Sequence, residues 1–104
     1  MSATALTQAT VLLTQPFVRS GIYASPEQAL KHIVLDYIER QLAWAQAERR
    51  RYERKYRCTF AEWSKSLSGK ATIADEDDWM EWEAILDMLD SWQKIKTEVE
   101  QSSV

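Results

Sequence analysis

Between Pro26 and Gly69 the chain contains neither glycine nor proline, and this uninterrupted run limits the possible folds more than any other feature. It opens on Ser25-Pro26-Glu27-Gln28, a helix-start signature. A serine hydroxyl accepts from the third helical amide, proline suits the first helical position, and Gln28 returns a bond to the cap. The spacing predicts a helix from Pro26 to about Arg57, and at ~1.5 Å per residue it spans roughly 48 Å. With only two Gly and two Pro in 104 residues, a many-turned all-β fold and a phosphate-cradling glycine loop are both disfavoured.

Two apolar seams run along this helix. Leu35, Ile38, Leu42, Ala45, Arg49, Tyr52 and Tyr56 alternate at spacings of three and four. Leu30, Val34, Tyr37, Gln41 and Trp44, with Ile33 beside them, form the second. Two adjacent seams require two packing partners over residues 30–45, and a single one beyond. Thr59-Phe60-Ala61-Glu62 reads as a capping box for a short helix through Trp63 and Leu67, closed by Ser68-Gly69. A last helix is expected after Thr72, running to about Glu100, with Trp82, Ile85, Leu89, Trp92, Lys96 and Val99 as its seam, widened by Leu86 and Met88. The expected fold is mainly α: one domain over 1–104, in which residues 25–100 form an antiparallel long-helix hairpin with a short connecting helix.

Residues 1–24 follow another pattern. Thr10-Val-Leu-Leu-Thr14 is β-branched or apolar, and Pro16 and Gly21 interrupt a long helix. The preferred expectation is a short strand near 9–14. A lone strand leaves its backbone groups unpaired, so it needs a partner strand, most simply from a second copy of the chain. The competing expectation is a helix over residues 5–15 that caps the hairpin. Taken with the unused seam, the strand predicts a homodimer with Val11, Leu13, Leu30, Val34, Tyr37 and Trp44 at its interface.

Charge is divided along the chain. Residues 1–57 carry nine basic and five acidic side chains; residues 58–104 carry four and eleven, and the total is −3. Such a balance does not favour wholesale binding to nucleic acid. The basic block Arg49, Arg50, Arg51, Arg54, Lys55 and Arg57 ends one long helix, while the acidic run Asp75-Glu-Asp-Asp78, Glu81 and Glu83 begins the other. In an antiparallel hairpin the two face each other, each at the helix end its sign prefers. The alternative use of the acidic stretch is a partner-binding patch of Asp75, Asp77, Asp78, Trp79 and Glu81, neutralising a basic site on another protein. No apolar stretch reaches membrane-spanning length, the first residues lack a secretory pattern, and the unpaired Cys58 suits a reducing compartment. A cytoplasmic location is expected. No cofactor is expected, since one Cys and one His32 supply neither a cysteine-rich zinc site nor paired histidines.

Asp36-x-x-Glu39 and Asp87-x-x-Asp90 are similar to the carboxylate pairs with which helical pyrophosphohydrolases of the MazG kind hold Mg²⁺. This resemblance implies Mg-dependent nucleotide hydrolysis as the alternative function, although any solvated helix face offers carboxylates three apart. Thr10–Thr14 followed by Ser20-Gly-Ile-Tyr-Ala-Ser25-Pro-Glu-Gln-Ala-Leu30 resembles the ribbon–helix–helix antitoxins over roughly residues 9–45. The resemblance implies a strand paired across a dimer and laid in the major groove, reading bases with Thr10, Leu12 and Thr14, or with Val11, Leu13 and Gln15, with Arg19 as the first basic residue. A second stretch, Glu53-x-Lys-Tyr56 through Phe60-x-x-Trp63 to Asp75–Ala84, is similar to small prokaryotic proteins associated with toxin–antitoxin gene pairs. Together these imply a non-enzymatic interaction protein, antitoxin-like or accessory, with a toxin-like protein as partner and DNA as a subordinate one. A purely structural dimer is the remaining alternative.

Overall fold

The computed structural model describes residues 3–104. It consists of four helices, α1 (Ala3–Arg19), α2 (Pro26–Tyr56), α3 (Phe60–Ser66) and α4 (Ile73–Glu100), and the described residues contain no strand. Each start after α1 is made by local chemistry. Ser25 accepts from the Gln28 amide, and the Gln28 side chain accepts from Ala24, one residue before the expected position. Thr59 accepts from the Glu62 amide, while its hydroxyl donates to the Glu62 carboxylate. Thr72 and Asp75 form a complete reciprocal box. At the end of α2, Arg57 turns the chain in the left-handed region at φ 56°. Gly69 takes φ +73° in the loop after α3.

Contacts between α2 and α4 run in opposite numerical order. Lys31 meets Glu100, Glu39 meets Lys96, Tyr52 meets Glu81, and Tyr56 meets Asp78. The two long helices are therefore antiparallel. At the closed end, α3 folds the connection back so that Tyr52, Tyr56, Phe60, Trp63 and Trp82 pack as one aromatic cluster. Ring centroids lie 4.0 Å apart for Tyr56–Trp63 and 5.5 Å for Tyr52–Trp82. Ala45 and Ile85 complete this core, and Ile38 and Leu42 extend the buried seam towards the open end. The Trp79 indole donates to Ser64 Oγ at 2.8 Å, pinning α3 to α4.

The N-terminal segment corrects one expectation: residues 9–14 are helical, not a strand. Two physical reasons account for this. A helix satisfies its backbone within the segment, whereas a strand needs a second chain. The two threonines that suggested β structure donate to carbonyls one turn back, Thr10 to Leu6 at 2.9 Å and Thr14 to Thr10 at 2.7 Å, as does Thr7 to Ala3 at 2.9 Å. Pro16 sits in the fourth turn, where it removes a single helical bond. After α1, Gly21 at φ +82° turns the chain, and Tyr23 packs between Phe17 and His32. With α1 helical there is no ribbon for DNA: Thr10 is half-buried, Thr14 is buried and Leu12 is exposed, on different sides of one helix, with Arg19 exposed at its end.

The assembled chain is a rod of 59 × 29 × 22 Å. Its radius of gyration is 20.0 Å, against roughly 13 Å for a compact domain of this length. No helix among the described residues is long and apolar enough to cross a membrane.

Candidate interaction surface

The two seams of α2 have opposite fates. Ile38, Leu42, Ala45 and Tyr52 of the first are buried against α4 and α3. The second stays open: Leu30, Val34, Tyr37 and Trp44 are between 36% and 56% exposed, and Ile33 is exposed beside them. α1 lies against the start of α2 and covers this seam only in part. Between them and the end of α4 remains an open groove of about 630 Å³, lined by Leu6, Val11, Leu30, Val34 and Val99 among others. Along α4 the apolar strip continues through Ile95, which is exposed, and Trp92, whose ring meets Tyr37 edge-on at 5.7 Å.

α1 carries no charge from Ala3 to Val18. It presents Leu6, Leu12 and Leu13 outward, with Leu13 74% exposed. The Thr7, Thr10 and Thr14 hydroxyls are already bonded within the helix, so covering α1 with protein leaves those donors satisfied. A helix apolar on several sides and uncharged along its length is the kind that is buried in an assembly. Of the residues expected at an interface, Val11, Leu13, Leu30, Val34, Tyr37 and Trp44 are all solvent-exposed within the single chain.

Three of the six residues of the acidic block, Asp75, Asp78 and Glu81, are engaged inside the chain. Asp75 closes the α4 cap, Tyr56 and Lys55 both donate to Asp78, the latter at 2.6 Å, and Tyr52 donates to Glu81. Trp79 is half-buried, and Asp77 is exposed. The Lys55 and Tyr56 hydrogen bonds hold the Asp78 carboxyl below the ordinary carboxylate range. Burial, helped by the bond to Glu81, pushes the Tyr52 phenol up to about 12. Among the described residues Lys55–Asp78 is the one ion pair joining the basic and acidic blocks. Arg51 turns instead to Glu48 at 2.9 Å and Arg49 to Glu53 at 3.7 Å, both within α2.

The carboxylates that resemble a magnesium site are similarly placed. Three of the four are in ion pairs, Asp36 with Arg40 at 2.9 Å, Glu39 with Lys96 at 2.6 Å and Asp90 with Lys94 at 2.8 Å, while Asp87 is exposed. Among the described residues no group of three His, Cys, Asp or Glu side chains is placed to hold a metal ion. Cys58 is half-buried at the α2–α3 junction, and His32 lies beside Tyr23 at the other end of α2.

One residue without a signal in the sequence organises the open end. Lys31 donates to the backbone oxygens of Glu100, Ser102 and Val104, the last at 2.7 Å. α4 has no basic residue in its own last turn, so α2 supplies the cation for its negative end. In comparisons with known protein families, curated proteins and solved structures, the chain has no match.

Proposed function

We propose that this chain is a non-enzymatic protein-interaction module whose working surface is α1 together with the exposed seam on the N-terminal half of α2. The observation that carries this reading is the continuity of exposed apolar side chains from Leu6 and Val11 across Leu30, Val34 and Tyr37 to Trp44. Contiguous apolar surface on this scale marks an association site, because exposing it to water is unfavourable and another polypeptide relieves it. The chemistry is docking: an apolar face, with charge confined to its margins, shields its side chains against a complementary one. The antitoxin-like or accessory role in a two-gene pair, implied by resemblance, is one use of such a face.

The test reads the full-length chain by sedimentation and by uptake of the apolar dye ANS. Wild type either sediments as an assembly, or sediments at its 12.1 kDa chain mass and takes up ANS. Val34→Glu combined with Trp44→Glu abolishes whichever behaviour is seen, while far-UV circular dichroism is unchanged. A 12.1 kDa particle that takes up no dye overturns the reading.

A further inference from the structure

We infer that the polypeptide covering this surface is a second copy of the same chain, each α1 seating in the open groove of the other across a two-fold axis; this rests on the docking reading above. Area is the first indication. The chain exposes 7674 Å², whereas a compact monomer of 12.1 kDa exposes roughly 6,000 Å². The excess is therefore on the order of 1,650 Å² per chain, or about 3,300 Å² for two, which falls within the roughly 2,000–5,000 Å² that permanent homodimers bury.

Shape is the second. A two-fold interface must be self-complementary, so one chain has to carry both a ridge and a hollow. Leu6 and Leu13, two helical turns apart and so on one face, form a ridge along α1, 59% and 74% exposed. The groove beside α1, floored by Leu30 and Val34, is the hollow. Two-fold rotation places each ridge over the other chain's hollow.

Charge is the third. Like groups meet near a two-fold axis, so the element at the axis must not repel its own image. α1 is the one long segment that satisfies this, with no ionisable side chain from Ala3 to Val18. The charged residues lining the groove are of both signs, Glu27 and Glu98 with Lys31, and the Lys31 ammonium is held by the Glu100 carbonyl at the end of α4 and by a backbone oxygen of Val104 beyond it.

Sedimentation equilibrium of the full-length chain over a wide concentration range tests this. The expected mass is twice 12.1 kDa. Leu13→Glu on the ridge and Val34→Glu in the hollow each raise the dissociation constant about a hundredfold or more, since each buries an unpaired carboxylate in both subunits. Met80→Glu, at an equally open position near the opposite end of the rod, leaves the dimer intact, and circular dichroism confirms that all three variants are helical. A chain that stays at 12.1 kDa but takes up ANS overturns the second-copy assignment and leaves the docking reading standing with a different partner. A monomer that takes up no dye removes both. An assembly larger than two, or a dimer broken by Met80→Glu and not by Leu13→Glu, overturns the two-fold arrangement.

Discussion

Replacing Trp82 with alanine removes the centre of the aromatic cluster, and its cost follows from the surroundings. Trp82 is 1% exposed, with ring centroids of Phe60, Tyr52 and Trp63 at 5.4, 5.5 and 5.6 Å. Its indole Nε1 has no acceptor, so truncation breaks no hydrogen bond and the loss is transfer, cavity and ring contact. Truncating a buried tryptophan to alanine costs about 3–5 kcal/mol, and aromatic pairs add about 0.5–1.5 kcal/mol each beyond burial. The upper end, about 5 kcal/mol, is expected here. A domain of this length is stable by about 5–15 kcal/mol in all. This chain keeps few residues fully buried, which places it low in that range, so Trp82→Ala removes most of its stability. Urea unfolding followed by far-UV circular dichroism, at one fixed chain concentration, measures the loss. Trp92→Ala is the internal comparison: Trp92 is half-buried, and its truncation should cost about 1–2 kcal/mol. A loss below about 1.5 kcal/mol for Trp82→Ala, or equal losses for the two variants, would refute the assignment of the closed end as the stabilising core.

Three further outcomes are expected. Tyr52 has its folded value raised to about 12, so the stability it contributes is complete below the ordinary phenol value near 10 and is lost as pH rises between the two. Alkaline denaturation profiles should therefore fall by about 2 kcal/mol on account of Tyr52 over that window, and fall less steeply in Tyr52→Phe, where the raised Tyr56 phenol still contributes. Arg57 occupies the left-handed region at φ 56°, where a side chain costs about 1 kcal/mol, so Arg57→Gly should raise the urea midpoint by the equivalent of about 0.5–1 kcal/mol. Lys31→Met removes the cation held by the end of α4 and should cost about 0.5–1.5 kcal/mol, with faster amide exchange confined to the last turn, at Gln101 and Ser102.

The parts of the fold that were readable in the sequence are those made by neighbours. Ser25, Thr59 and Thr72 each hold an amide three residues away, so the starts of α2, α3 and α4 lie where the caps predict. Ile38, Leu42, Ala45 and Tyr52 face the core because helical spacing aligns them. Local chemistry also explains what the charge blocks do. Arg51 reaches Glu48 one turn away and Arg49 lies near Glu53, because a partner on the same helix is held in place without ordering a second element. The block-to-block pairing expected from charge order is reduced to Lys55–Asp78. Lys31 gave no signal, since its acceptors are backbone oxygens about seventy residues away and any residue type supplies those.

That α1 is a helix and not a strand changes what kind of partner the chain needs. A strand over residues 9–14 would require another strand, because its amides and carbonyls would be left unpaired; association would then be fixed in register by backbone hydrogen bonds. In the helix those groups are paired within the segment, and the threonine hydroxyls with them. What the segment then offers a partner is chiefly apolar area. Apolar contact is non-directional and scales with the area hidden, so affinity depends on how well Leu6, Leu13 and the seam from Leu30 to Trp44 are covered, and not on matching a sheet edge. It follows that conservative apolar changes such as Leu13→Met should be tolerated, whereas a carboxylate at the same position should not.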